Sequence, residues 1–319
     1  MHLLLGEQLE SLCKNAIDEV LLVAPFVKGH ILQRLLGCIE PKVAVRIVTR
    51  WNPLEIQAGV SDLGVWPLID GRENSSLYLC SHLHAKYFRA DKTCLIGSAN
   101  LTGRALGWSK QANLELLVKL NSQSSGLPDF EEAVILNSAL VDESVYQKTK
   151  DAVNSLPENF MLFSTEGSKY DEAGDQEGAS SLKVFLPTEW LPVTRFPDVL
   201  FKAYSGDISN LSQASKEMAS LDLAFLGIPP GLPLVPFKHC VGALLLQSPI
   251  IARVDEFLIS PQRFGAVTAL LKSLPCSLNS DFDANHSWQT LIRWFLFFLP
   301  GRYSQINSEY SEVFIRTNT

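Results

Sequence analysis

The chain has 319 residues, 46% of them hydrophobic, and a formal net charge of −7. That length accommodates two hydrophobic cores, and the mild acidity argues against general electrostatic attraction to nucleic acid or to an anionic membrane. Four of the seven excess negative charges fall in residues 161–181, so neither half is strongly acidic and a local basic groove stays open.

The six cysteines (Cys13, Cys38, Cys80, Cys94, Cys240, Cys276) lack C-x-x-C spacing, and most sit in apolar runs. Buried thiols in a reducing cytosol are the expectation. The longest apolar runs, Val241–Leu246 and Trp294–Leu299, fall far short of the ~20 residues that cross a bilayer. The N-terminal stretch lacks the basic-then-apolar order of a secretory signal. A soluble, cytoplasmic protein without stable membrane association is expected.

In chain order, Leu9, Leu12, Cys13 and Ile17 have helical spacing over residues 7–17. Val20–Ala24 is a buried strand ended by Pro25. A second helix, Val27–Ile39, precedes a second strand, Val43–Val48. This α-β-α-β order with near-continuous apolar strands predicts an α/β fold, a sheet flanked by helices. Arg50, Trp51 and Asn52 follow the second strand, where loops of such sheets line sites. Arg50 is placed either to reach a phosphate or to form a surface ion pair.

Leu77–Cys80 leads through His82 into HAKYFRADKTCLIGSAN, residues 84–100. Two apolar strands are predicted there, with a turn at Asp91-Lys92-Thr93. Residues i and i+2 share one face of a strand, so His84 and Lys86 project together. His82 would share that face, as a supporting or solvent-exposed imidazole. Gly97 permits close approach of the backbone, and Ser98 and Asn100 supply polar groups, so the expected guest is an oxyanion, naturally a phosphodiester. Asn113–Leu117 is predicted as a further strand carrying Glu115, and residues 128–155 as mostly helical.

His84, Lys86, Asp91, Gly97, Ser98 and Asn100 resemble the HxK(x)4D…GSxN motif of the phospholipase D superfamily. The gap between Asp91 and Gly97 holds five residues, one fewer than in the commonest form of the motif. The resemblance covers roughly residues 1–150. It implies a phospholipase D-like mixed sheet flanked by helices, catalysis by His84, Lys86, Ser98 and Asn100, and a positioning role for Asp91. It also implies that Glu115, as the acidic residue following GSxN, hydrogen-bonds the catalytic histidine and fixes its tautomer. Only one copy of the motif is present: His239 and His286 lack a lysine at i+2. Single-motif members pair two chains about a two-fold axis, so the resemblance implies a homodimer with a shared active site. No metal-ligand spacing and no glycine-rich nucleotide loop occurs, so no metal or cofactor is expected.

Residues 164–181 are rich in Gly, Ser and acids, too poor in aliphatics to order themselves. The expected organisation is a catalytic domain over 1–160, an acidic linker over 161–181 and a smaller α+β domain over 182–319. In the last, Leu182–Leu186 and Leu221–Leu226 are candidate strands. Pro261–Leu274 and Asn285–Leu299 are amphipathic helices, the second capped by Asp283 or Asn285. Tyr303–Ile306 and Glu312–Arg316 form a terminal hairpin. Two helices and a hairpin are compatible with a winged-helix, DNA-binding arrangement whose basic groups are Arg263, Lys272, Arg293, Arg302 and Arg316. The aromatic residues of the second helix are assigned to the core. A metal-independent DNA endonuclease is the leading reading. A lipid phosphodiesterase and a non-catalytic phosphate- or nucleic-acid-binding module are the alternatives.

Overall fold

The computed structural model describes residues 4–158, 188–279, 281–308 and 311–317. The chain divides into two compact units, Met1–Lys150 and Asp151–Thr319. The acidic stretch 161–181 and the candidate strand 182–186 lie outside the described residues.

The first unit alternates helices and strands: α1 Leu5–Lys14, β1 Glu19–Val23, α2 Gly29–Leu36, β2 Ala44–Thr49, α3 Pro53–Gln57, α4 Val65–Asp70, β3 Ser75–Leu79, β4 Tyr87–Ala90, β5 Thr93–Gly97, β6 Leu117–Asn121, α5 Leu127–Leu136 and β7 Ala139–Leu140, and the boundary between the units falls within α6 Glu143–Ser155. Its strands form one seven-stranded sheet in the order β6-β5-β4-β1-β2-β3-β7. β1, β2 and β3 are parallel, and β4 runs antiparallel to β1, making the sheet mixed. Val20–Val23 on β1 and Ile47 and Val48 on β2 are almost fully buried, as strands covered on both faces require.

Two departures from the sequence reading lie here. The strand expected at Asn113–Leu117 begins only at Leu117, and Asn113–Leu116 run alongside the end of β5 without joining the ladder. The short edge strand β7 interrupts the helical stretch after residue 128, pairing Tyr78 and Leu79 with Leu140 and Ala139. Two residues of strand leave too short a period to be legible in sequence.

The second unit holds α7 Pro197–Ser205, α8 Gln213–Leu226, α9 Leu234–Leu245, α10 Pro249–Phe257, β8 Gln262–Arg263, α11 Phe264–Ser273, a 3-10 turn Pro275–Leu278, α12 Ala284–Phe298, β9 Tyr303–Ser308 and β10 Ser311–Arg316. The candidate strand Leu221–Leu226 is instead the last turns of α8. Its six residues are a short apolar run that period alone cannot assign, and Ser212 caps the helix by accepting from the Ser215 amide. The two tail helices and the hairpin form as expected, with Asp283 accepting from the His286 amide as the cap of α12. No single helix among the described residues is long and apolar enough to span a membrane, and α9 and α10, apolar together, are bent by 81° where they meet.

Five of the six cysteines are buried and all six are free thiols. Burial pushes the thiols of Cys13 and Cys240 up to about 12, which makes them inert packing groups.

Candidate active site

Strand direction decides which loops meet. Because β4 and β6 run against β1, β2, β3 and β5, one edge of the sheet collects the C-terminal ends of the latter four and the N-terminal ends of the former two. At that edge lie Arg50 after β2, His82 after β3, His84 and Lys86 before β4, Ser98 and Asn100 after β5, and Glu115 before β6. Residues spread over 66 positions of chain are thereby gathered at one edge. The loop after β5 is also tied to the loop after β1: the Leu101 amide donates to the Phe26 carbonyl at 3.1 Å and the Lys28 amide to the Leu101 carbonyl at 3.0 Å.

His84 and Lys86 stand just before the β4 ladder rather than within it, but the extended backbone persists, since the Gly97 amide donates to the Lys86 carbonyl at 3.3 Å. The Lys86 ammonium donates to the backbone carbonyl of His84 at 2.7 Å. The imidazole of His84 is exposed and makes no hydrogen bond with the described residues. Burial, and then the charge of Arg50, hold the Lys86 ammonium below its ordinary range, while Glu115 opposes them. His82 is lowered by desolvation and then by Arg50, and its Nδ1 lies 2.8 Å from the Ser81 hydroxyl.

Arg50 forms a bidentate pair with Glu55, including Nε to Oε2 at 2.9 Å, and donates to the Leu83 carbonyl at 3.3 Å. Of its two sequence readings, the ion pair is the one realised. Its charge still adds to desolvation in lowering His82 and Lys86.

Glu115 belongs to a clip between two loops. Ser98 donates its hydroxyl to one carboxylate oxygen and accepts from the Leu116 amide at 3.1 Å, while the Ser98 amide donates to the Leu116 carbonyl at 3.0 Å. The Asn113 side chain donates to the other carboxylate oxygen at 3.1 Å. The expected bond between His84 and Glu115 is not formed; the carboxylate is held by Ser98 and Asn113 instead. Asn113 was missed in the sequence, although its i, i+2 relation to Glu115 places both side chains on one face of an extended segment.

Asn100 is half-buried, and its Oδ1 is buried with no hydrogen-bond partner among the described residues.

Asp91 is not brought to this edge. It turns the β4–β5 hairpin at the opposite end of β4, with φ 50°, roughly 16 Å of extended chain beyond Lys86 by the usual rise per residue. Its carboxylate accepts from the amides of Ile17, Asp18 and Glu19 at 2.8, 3.0 and 2.9 Å. Burial raises this carboxyl, but those three amides together outweigh it and hold the group below the usual carboxylate range. Asp91 therefore anchors the start of β1; it does not position Lys86. The same end carries an ionic network joining Arg89 to Glu19 at 2.6 Å and to Glu131 at 2.7 Å. Among the described residues no three His, Cys, Asp or Glu side chains converge as a metal site.

Residues 9–131 match the profile of a family described as cardiolipin synthase, PLD-like domain. Among solved structures, the chain is similar to NucT from Helicobacter pylori, with 13% identity, 41% of this chain and 85% of that chain covered, and a TM-score of 0.31. It is similar to Nuc from Salmonella typhimurium, a phospholipase D family member, with 18% identity, 43% and 90% covered, and a TM-score of 0.35. It is also similar to phosphatidylserine synthase from Haemophilus influenzae, with 16% identity, 44% and 35% covered, and a TM-score of 0.34. No curated protein sequence matches the chain.

Proposed function

Residues 9–131 form a domain of the phospholipase D superfamily, and from that premise we propose that the chain is a metal-independent DNA endonuclease acting through a phosphohistidine intermediate. The observation that carries this reading is the gathering of His84, Lys86, Ser98 and Asn100 at one sheet edge, with the His84 imidazole uncommitted to any described residue.

Phosphodiester cleavage needs a nucleophile on one side of phosphorus and a proton donor on the other. A single imidazole cannot serve both sides in one in-line step. The site is therefore completed by a second copy of the chain. Nε2 of His84 attacks phosphorus, the bond to the leaving oxygen breaks, and protonated His84 of the partner subunit gives that oxygen its proton. Water, losing a proton to the same partner imidazole, then attacks phosphorus and breaks the P–N bond, returning His84. Lys86 from each chain, with the Asn100 amide, would hold the non-bridging oxygens as charge builds on them. The Ser98–Glu115 clip keeps the loop after β5 in place for that contact.

A surface suited to a second copy adjoins the site. Leu114, Leu116, Val118 and Leu120 alternate along one face of the edge strand β6 and the segment leading into it, and are 102%, 63%, 44% and 41% exposed. Glu115 lies between the first two, so a partner covering this stripe would sit beside the site. An exposed apolar edge strand is a template for association.

The description of the matching family favours a second reading, phosphodiester chemistry on a phospholipid. Both readings are tested together by incubating the protein in excess EDTA with plasmid DNA and, separately, with vesicles of an anionic phospholipid. Nicking or linearisation of the plasmid supports the nuclease; headgroup release alone moves the substrate to lipid. Strict dependence on Mg²⁺, or no turnover of either, overturns the mechanism.

A further inference from the structure

The order of elements from α10 onward is helix, strand, helix, helix, strand, strand, and the three strands form an antiparallel sheet in the order β8-β10-β9. That is the topology of a winged helix, in which the last helix lies against the hairpin and turns its other face to solvent. Here the inner face of α12 is aromatic. Trp288 meets Phe314 of β10 edge-on at 5.3 Å, and Phe295 stacks on Tyr303 of β9 at 4.4 Å. These rings are spent on the core, as the sequence implied.

The outer face is different in kind. Asn285, His286 and Gln289 are exposed, and Arg293, half-buried, rests on the Gln289 carbonyl at 3.0 Å and over the Phe196 ring. Asn285, Gln289 and Arg293 recur at i, i+4 and i+8, one stripe of the helix. Asparagine and glutamine match the N6/N7 edge of adenine, and arginine the O6/N7 edge of guanine, in the major groove, which is wide enough to admit a helix. The electrostatics around the stripe are restrained. Two of the five basic groups expected to face DNA are consumed: Arg302 and Arg316 donate to buried Asp255 at 2.6 and 2.8 Å. Arg263, Lys272 and Arg293 remain, while Asp281 and Asp283 stand at the N-terminus of α12. Phosphate contacts position a protein on the duplex and base contacts specify sequence; this surface supplies side chains for the second and few cations for the first.

We propose that α12 enters the major groove of duplex DNA and reads bases with Asn285, Gln289 and Arg293, Arg263 and Lys272 touching the flanking backbone. This rests on the proposed function only in taking the DNA so captured as the substrate to be cleaved; the binding itself needs no catalysis.

The test uses the full chain carrying His84→Ala, in EDTA, with a pool of duplexes of randomised centre. Selection should enrich a motif, and on the enriched duplex each of Asn285→Ala, Gln289→Ala and Arg293→Ala should weaken binding about 5- to 150-fold. Binding to a scrambled duplex should change little. With Arg263 and Lys272 on phosphates, the logarithm of affinity should fall against the logarithm of salt with a slope of about −2. Unchanged thermal unfolding of the three variants shows that the loss is one of contact, and Gln289→Glu, which places a charge against the bases, should abolish enrichment. Failure to enrich any motif, or variants that bind the enriched duplex like their parent, overturns the inference. If the His84→Ala protein binds no duplex while the unsubstituted protein still cleaves a phosphodiester in EDTA, this inference falls and the catalytic reading stands. If it binds duplex and the unsubstituted protein cleaves nothing, the reverse holds.

Discussion

The carbonyl oxygen of Leu116 lies 1.8 Å from where a β-carbon on Gly97 would stand. Gly97 closes β5 opposite Leu117, so the glycine of the motif is required by the close passage of the Glu115 segment rather than by a special backbone angle. Gly97→Ala must push that segment outward, and with it the carboxylate that Ser98 holds. The expected loss is about 1–3 kcal/mol of stability, together with most of the activity. Denaturant unfolding and plasmid cleavage measured on the same preparation check this; a fully active Gly97→Ala protein would refute it.

Asp91 separates anchoring from chemistry. Removing a carboxylate that serves three backbone donors should cost about 2 kcal/mol while leaving kcat unaltered. Its folded-state value is depressed, so its contribution is complete above the unfolded value of roughly 3.9 and disappears as pH falls through the lower folded value. The stability difference between the native chain and Asp91→Ala should hold level near neutrality and vanish in strong acid. Urea midpoints across that range decide it, and a collapse of kcat in Asp91→Ala would return this residue to the reaction.

Lys86 is expected to set the alkaline limit of activity. Burial and Arg50 lower its ammonium and Glu115 raises it. If the charged form holds the phosphate, activity should fall on the alkaline side at a pH below the ordinary lysine value of about 10.4. Arg50→Gln removes a repelling charge and should move that limb upward. Glu115→Gln removes an attracting one and should move it downward. Limbs that stay together in both variants would show that another group governs them.

The apolar stripe on β6 is assigned to a second copy. Val118→Lys and Leu120→Lys should leave folding intact, because both side chains are exposed. Each should shift light-scattering mass from dimer to monomer and reduce cleavage at least 100-fold, since half of the acid–base pair departs. A monomeric native chain with full activity would exclude the shared site.

His84, Lys86, Ser98 and Asn100 were legible as a candidate site because two short strands around one turn make their spacing local. The buried strands were legible in composition: Val20–Val23 and Ile47–Val48 are apolar without alternation, as strands buried on both faces must be. Leu221–Leu226 was misread, since a six-residue apolar run is the same in a strand and at the end of a helix, and only its packing as part of α8 distinguishes the two. Sequence alone named the candidate residues and the chemistry their types allow. The tertiary structure decided which of them meet. Strand direction sends Asp91 to the opposite end of β4 from His84, hydrogen bonding commits Glu115 to Ser98 and Asn113, and burial takes Arg302 and Arg316 for Asp255. The Asp91 bonds to the start of β1 and the Asp255 pairs join residues tens of positions apart, set by the packing of whole elements, and no local spacing encodes them.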